Sequence, residues 1–308
     1  MLRIILLLIL FIITLQANIV SIQKLQNQFL KDVVELYAYK KRFHTYLRKN
    51  CNDNFKCLKN KIEQLKLWDS VKSDISLKYI LDKKTSITKF DQEYWDKVLN
   101  KLQTKDISFD STQFVSIIDL QNQYFIVTIW DSIDKQFKYI GRDLISSGNM
   151  QREAEIKFGE NHYLKTPSGI FESLQGWRSD GKTKDDNITL AYGLKDRFIF
   201  YFGKQTSIRY NTFDKNKNKI YDKKQWKLIK DNLEFAIHSH SSSRSFGEPN
   251  SHGCVRMSDE LNRFLDNNFV LHKNVLDGSK WIDKYSKEPE NPDNFHLAGK
   301  YLIIFDNI

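Results

Sequence analysis

Apolar residues at Ile22, Leu25, Phe29, Val33, Leu36 and Tyr37 recur at steps of three and four. That is the period of helices that bury one face. "LKNKIEQLKLW" (58–68) and "DQEYWDKVLNKL" (91–102) repeat it, and their charged faces read as solvated surface. No glycine precedes Gly141 and the first proline is Pro167, so little interrupts a helical module over residues 18–110. Near residue 112 the texture changes. "FVSIIDL" (114–120) and "YFIVTIW" (124–130), joined by "QNQ", read as a hairpin of β-branched and aromatic residues. "FKYIGRDLISSG" (137–148), "GIFES" (169–173), "RFIFYF" (197–202), "LEFAIHSH" (233–240) and "KYLIIFD" (300–306) continue the series. Many short strands predict a mainly β domain over residues 111–308, so the chain is α+β overall. Ser258 as N-cap, Asp259 and Glu260 in the first turn, and Leu261, Phe264 and Leu265 as an apolar stripe predict one helix inside it. Residues 178–232, lysine-rich and polar, read as an insertion on that domain.

The first residues carry a separate signal. Arg3 precedes an apolar run from Ile4 to Leu15. The run falls short of the roughly 20 residues of a membrane span and matches the core of a secretory leader, 1–17, ending at Ala17. Cleaved, it releases an exported protein to the periplasm or cell envelope; uncleaved, it tethers the protein to the membrane. Export bears on the cysteines. Cys51 and Cys57 are close enough in sequence to pair in an oxidising compartment, which leaves Cys254 as an odd thiol.

Composition narrows the partners. The chain is 41% hydrophobic and 13% aromatic, enough for a core, and carries a formal charge of +10. The lysines are scattered among acids with no basic, aromatic-interleaved run, which argues against nucleic acid. An anionic membrane face or an acidic polymer such as a cell wall remains open as the partner of that charge. "DKNKNKIYDKKQW" (214–226) echoes a calcium loop, but Lys219 sits where such loops need glycine and Gln225 replaces the closing carboxylate. A solvated hairpin tip is the simpler reading. His44, His162, His272 and His296 lack motif context and read as surface or structural histidines.

The chemistry concentrates in "IHSHSSSRSFGEPNSHGCVRM" (237–257). His238 and His240 stand two apart on a predicted strand and so share a face, and His252 and Cys254 repeat the step. Zinc accepts such ligands. A cysteine nucleophile with a histidine base is the competing reading. It accounts for Gly253, which permits a tight turn exposing the sulfur, and for a helix starting just downstream, whose approach aims N–H groups at an oxyanion. The zinc reading explains neither Gly253 nor Arg256. On these grounds no metal or cofactor is expected.

"SHGCVRM" (251–257), with His238 16 residues before Cys254, resembles the signature of the L,D-transpeptidase catalytic domain (YkuD-like) family. "FG" (246–247) in the loop and "KTPSGIF" (165–171), similar to a Thr-Pro-x-Gly-x-Phe segment of that family, agree; "IIDLQNQYFIVTI" (117–129) and "ISSG" (145–148) resemble its opening hairpin and next strand. The resemblance covers residues 112–307 and leaves the helical module, which has room for a protein partner, unexplained. It implies a β-sandwich or barrel with a few helices, acting on peptidoglycan stem peptides. It implies Cys254 as nucleophile, His238 as base, the Ser239 carbonyl as orienter of the imidazole, and His252 and Gly253 as shapers of the pocket and oxyanion hole. Arg256, Ser251, Thr166, Gly169 and His240 would line the substrate cleft, with Thr166 and Gly169 chiefly shaping it. The motif serves two outcomes, transfer to an amine or hydrolysis by an L,D-carboxypeptidase. A zinc hydrolase and an inactive wall-binding scaffold stay open as alternatives.

Overall fold

The computed structural model describes residues 22–51, 55–64, 75–152, 162–184, 189–241, 246–277 and 292–308. The expected leader and most of the serine-rich run at 241–245 lie outside them, as does the side chain of His44. The described residues form two compact units, one reaching to Lys89 and including Lys138–Gly141, the other comprising Phe90–Phe137 and Arg142–Ile308.

In the first unit, helical residues 22–29 run through a π-helical stretch, Leu30–Glu35, into α1, Leu36–Cys51; α2, Phe55–Gln64, and α3, Ile75–Thr88, follow. Leu25, Phe29, Val33 and Leu36 are buried, as their spacing predicts. Phe29 needs a glycine opposite it: a Cβ on Gly141 would stand 2.4 Å from its ring. Cys51 and Cys57 form a disulfide with Cα atoms 5.5 Å apart, joining the end of α1 to α2. No helix among the described residues is long and apolar enough to cross a membrane.

The second unit opens with α4, Gln92–Gln103, capped by Asp91, whose carboxylate accepts from Tyr94 N–H at 3.1 Å. It buries Trp95, Val98 and Leu102, and Tyr94 Oη donates to Asp119 Oδ2 at 2.8 Å. Its sequence continues the helical pattern of the N-terminal module, but it belongs to this unit.

The strands are β1 Gln113–Asp119, β2 Tyr124–Asp131, β3 Gln136–Ser146, β4 Gly169–Glu172, β5 Gln175–Arg178, β6 Phe198–Asn211, β7 Lys227–Ser239, β8 Val255–Met257 and β9 Tyr301–Phe305. They make one nine-stranded sheet in the order β4-β9-β1-β2-β3-β8-β7-β6-β5. The two edge strands are consecutive in sequence. A flat sheet of this width would hold its edges roughly 38 Å apart at about 4.8 Å per strand. The chain from Glu172 to Gln175 reaches about 11 Å at most. The sheet therefore curls until its edges approach. Leu174 N–H donates to Tyr201 O at 2.8 Å, and Phe171 of β4 packs 5.4 Å from Phe202 of β6. The mainly β unit preceded by helices agrees with the reading of the pattern.

The polar stretch 178–232 contains β6 and the start of β7, which pair over a long antiparallel hairpin. Its tip closes on itself. Asp214 Oδ1 accepts from the N–H groups of Asn216 at 2.7 Å and Asn218 at 2.8 Å.

Two helices close the unit, α5 Asp259–Asn267 and α6 Lys273–Asp277. Inside, Arg178 grips Asp266 of α5 with two hydrogen bonds, 2.6 and 3.0 Å, and His272 Nε2 lies 3.2 Å from the same carboxylate. Burial opposes ionisation of Asp266, but His272 and Arg178 outweigh it and hold the carboxyl at about 2, below its ordinary 3.8. A depressed carboxyl stabilises the fold above pH 3.8 and loses that contribution as pH falls toward 2. Denaturant unfolding at stepped pH should therefore show a loss of roughly 2–3 kcal/mol from this group between about pH 4 and pH 2. Asp266→Asn should remove that step and cost about 3–5 kcal/mol at neutral pH by stranding buried Arg178.

Candidate active site

β7 and β8 run parallel with Ile237 opposite Val255, His238 opposite Arg256 and Ser239 opposite Met257. Parallel neighbours cannot be joined by a tight turn, which is why the long Ser/Gly/Pro connection lies between them. Side chains alternate along a strand, so His238 and Arg256 share one face. Cys254, immediately before β8 and two residues from Arg256, is carried toward that face. His238 is buried, and its Nδ1 lies 2.8 Å from the Ser239 carbonyl. A carbonyl only accepts, so Nδ1 carries the proton, and in the neutral imidazole Nε2 is the acceptor nitrogen. The Tyr192 ring and the imidazole meet in a T-shaped arrangement, with centroids 5.0 Å apart.

Cys254 is a thiol outside the disulfide, partly exposed, with Sγ 3.8 Å from the Glu234 carbonyl. The turn that presents it is held from several sides. Ser251 Oγ accepts from Gly253 N–H at 3.0 Å and donates to the Cys254 carbonyl. Gly253 has φ +147, and a Cβ there would stand 2.9 Å from both Leu233 and Phe235. Only glycine takes that backbone without strain. Thr166 is fully buried; its hydroxyl donates to Gly253 O at 2.6 Å and accepts from Gly148 N–H at 2.8 Å. Gly148 permits the approach, since a Cβ there would be 2.1 Å from Leu164 O and 2.8 Å from Gly253 Cα. The His252 ring stacks on Tyr163 at 4.0 Å, with the Arg152 guanidinium 4.7 Å from that tyrosine ring. After β8, Ser258 caps α5, accepting from Leu261 N–H at 3.2 Å and donating to Asp143 at 2.8 Å.

The structure thus gathers His238, Ser239, Ser251, His252, Gly253, Cys254, Arg256 and Thr166. Arg256 is buried and donates to Asn250 O at 3.3 Å, bracing the connection that leads to the cysteine. His240 is buried past the end of β7, its N–H donating to Met257 O at 3.1 Å. Gly169 stands apart from the group, opening β4 opposite Ile304. Among the described residues no three His, Cys, Asp or Glu side chains form a metal-holding group. His162 lies away from the motif; burial, then the charge of Arg209, pushes its imidazole below the ordinary value. Tyr192 and Tyr163 escaped the sequence reading, and Gly148 entered it only within the "ISSG" block, with no role of its own. The first two lie in polar segments with no periodic signal, and Gly148 shows its purpose only when Gly253 is beside it.

Thr166→Val keeps the volume but strands a buried donor on Gly148 and an acceptor on Gly253. It should destabilise the fold by about 2–3 kcal/mol in a denaturant titration. It should also slow alkylation of Cys254 by iodoacetamide, since the turn that presents the sulfur loses its anchor.

The sequence model of the L,D-transpeptidase catalytic domain (YkuD) family matches residues 113–280, more than half of the chain. No curated protein matches it. Similar solved structures include an L,D-transpeptidase from Xylanimonas cellulosilytica (18% identity, 68% of this chain and 69% of that one, TM-score 0.29). Others are the helical cell shape determining protein Pgp2 from Campylobacter jejuni (13%, 71% and 56%, 0.29) and L,D-transpeptidase 3 from Mycobacterium tuberculosis (14%, 63% and 61%, 0.25). Those TM-scores are too low to carry an argument, so the assignment rests on the family match together with the motif now placed on β7 and β8. The chain belongs to the L,D-transpeptidase catalytic domain family.

Proposed function

We propose that this protein is an exported peptidoglycan L,D-transpeptidase working through a thioacyl-enzyme on Cys254. The observation that carries the reading is the imidazole of His238, oriented by the Ser239 carbonyl at 2.8 Å on the strand beside the thiol. Nε2 takes the Sγ proton, and the thiolate attacks the carbonyl carbon of the third stem residue, before D-alanine. The carbonyl π electrons move to oxygen. The family resemblance puts the Cys254 N–H on that oxyanion, with Gly253 N–H engaged by Ser251 Oγ to hold the turn. The intermediate collapses, the C–N bond breaks, and His238 returns the proton to the departing D-alanine amine. An acceptor amine then gives up a proton to His238 and attacks the thioester. The C–S bond breaks and the thiol is restored.

The other gathered residues serve this chemistry through shape. Ser251 and Thr166 spend their hydroxyls on backbone groups of the turn, so they set the thiol's position. Arg256 and His240 wall the cleft beside His238. The apolar residues 4–15 and the +10 charge fit a protein delivered to a carboxylate-rich wall.

Incubation with purified disaccharide-tetrapeptide, read by mass, tests the proposal. The expected result is a crosslinked dimer with loss of D-alanine, and a protein adduct that maps to Cys254. Cys254→Ala and thiol alkylation should abolish both, and EDTA should not. Tripeptide plus free D-alanine alone would replace transfer with hydrolysis. Activity that survives Cys254→Ala and dies with EDTA would overturn the cysteine mechanism.

A further inference from the structure

Ser239 does more than lend a carbonyl. Its hydroxyl donates to Asp259 Oδ1 at 3.3 Å. Asp259 lies in the first turn of α5, two residues after the strand that Cys254 introduces. Arg197, just before β6 and 2% exposed, clamps the same carboxylate: Nη2 donates to Oδ2 at 2.7 Å and Nε donates to Oδ1. Gly193 presses on the serine from another side, since a Cβ there would be 2.5 Å from Ser239 Oγ. Ser241 Oγ accepts from Leu190 N–H at 2.8 Å, and His240 N–H donates to Met257 O at 3.1 Å. The peptide whose carbonyl aims the imidazole is therefore held at its side chain, at the next N–H and one residue beyond.

We propose that the Arg197–Asp259 pair is a positioning element for His238, acting through the Ser239 hydroxyl and tying the strand of the base to the helix that follows the strand of the thiol. The physical case is one of rigidity. A lone serine carbonyl at a strand end can tilt, and the imidazole tilts with it. A buried guanidinium with two contacts on a carboxylate has a fixed plane. A hydroxyl donating to that carboxylate inherits the fixed plane, and the carbonyl on the same residue is turned to Nδ1. The pair joins β6, β7 and α5, so base and thiol move together. Small misplacements of a general base are expensive in rate, which gives such a clamp its effect.

This inference rests on the acyl-transfer reading of Cys254 and His238, and the test keeps the two apart. Ser239→Ala, Asp259→Asn and the double variant would be assayed on disaccharide-tetrapeptide for kcat and KM, with melting temperature measured alongside. Ser239→Ala leaves the Arg197–Asp259 pair intact, so it reports on the link even if Asp259→Asn folds poorly. Each single variant should lower kcat about tenfold, the scale of one hydrogen bond to a charged group, with KM nearly unchanged. The double variant should be no slower than Asp259→Asn, because both break one link. Wild-type kcat in Ser239→Ala, multiplicative losses in the double variant, or losses confined to KM would overturn the positioning role. A wild-type protein that forms no adduct on Cys254 would instead overturn the acyl-transfer reading.

Discussion

Three rungs of parallel pairing between β7 and β8 govern the site. They set the strand that ends at His238 and Ser239 beside the strand that follows Cys254, which lies 16 positions after His238 in the sequence. A parallel pair imposes a long connection, and a long connection is a poor way to hold a reactive turn. The rest of the local structure compensates for that weakness. Thr166 ties the turn to Gly148, Ser251 closes it internally, and Tyr163 backs His252. None of these contacts meets the reacting atoms. Each removes a direction in which the thiol could drift.

The close approach of three backbone segments explains the glycines. Gly148 lies against Gly253 where a single added carbon would collide with backbone, and a carbon added to Gly253 would meet the Leu233 and Phe235 side chains. Thr166 inserts its hydroxyl between them, and its buried oxygen is matched as donor and acceptor. "ISSG", "KTPSG" and "SHGC" thus form one constellation. They are far apart in sequence but meet behind the cysteine, so the three motif blocks are three sides of one contact.

Legibility in the sequence followed local physics. The helices with one apolar face, the β1–β2 hairpin and the Ser258 cap were readable because period and cap are local properties. His238 and Cys254 were readable through their motif. The outer halves of β6 and β7 were not, since the covered face of that hairpin carries polar residues such as Ser207 and Arg209, and "GKQTSIRYN" shows no apolar alternation. Curling of the sheet was also hidden. It follows from β4 and β5 being neighbours in sequence and opposite edges in strand order, and strand order is a long-range fact. Tyr192 is half-exposed in a turn, with nothing in its neighbours to mark it as the ring against His238.

The charged residues on α5 look misplaced for a mostly buried helix that packs on β6 and β7. Asp259 and Asp266 lie two turns apart along it, each met by an arginine from the β5–β6 region, Arg197 and Arg178. Leucines in their place would pack as well, and buried ion pairs are often no more stable than such replacements. What an ion pair adds is direction. Apolar contacts let a short helix slide or rotate by a fraction of a turn, whereas two arginine–carboxylate pairs admit one register. α5 follows β8 through Ser258 alone, so its register is passed directly to the strand that begins with the Cys254 turn. On this argument the helix is pinned by charge because the thiol's position is more demanding than the stability of the core.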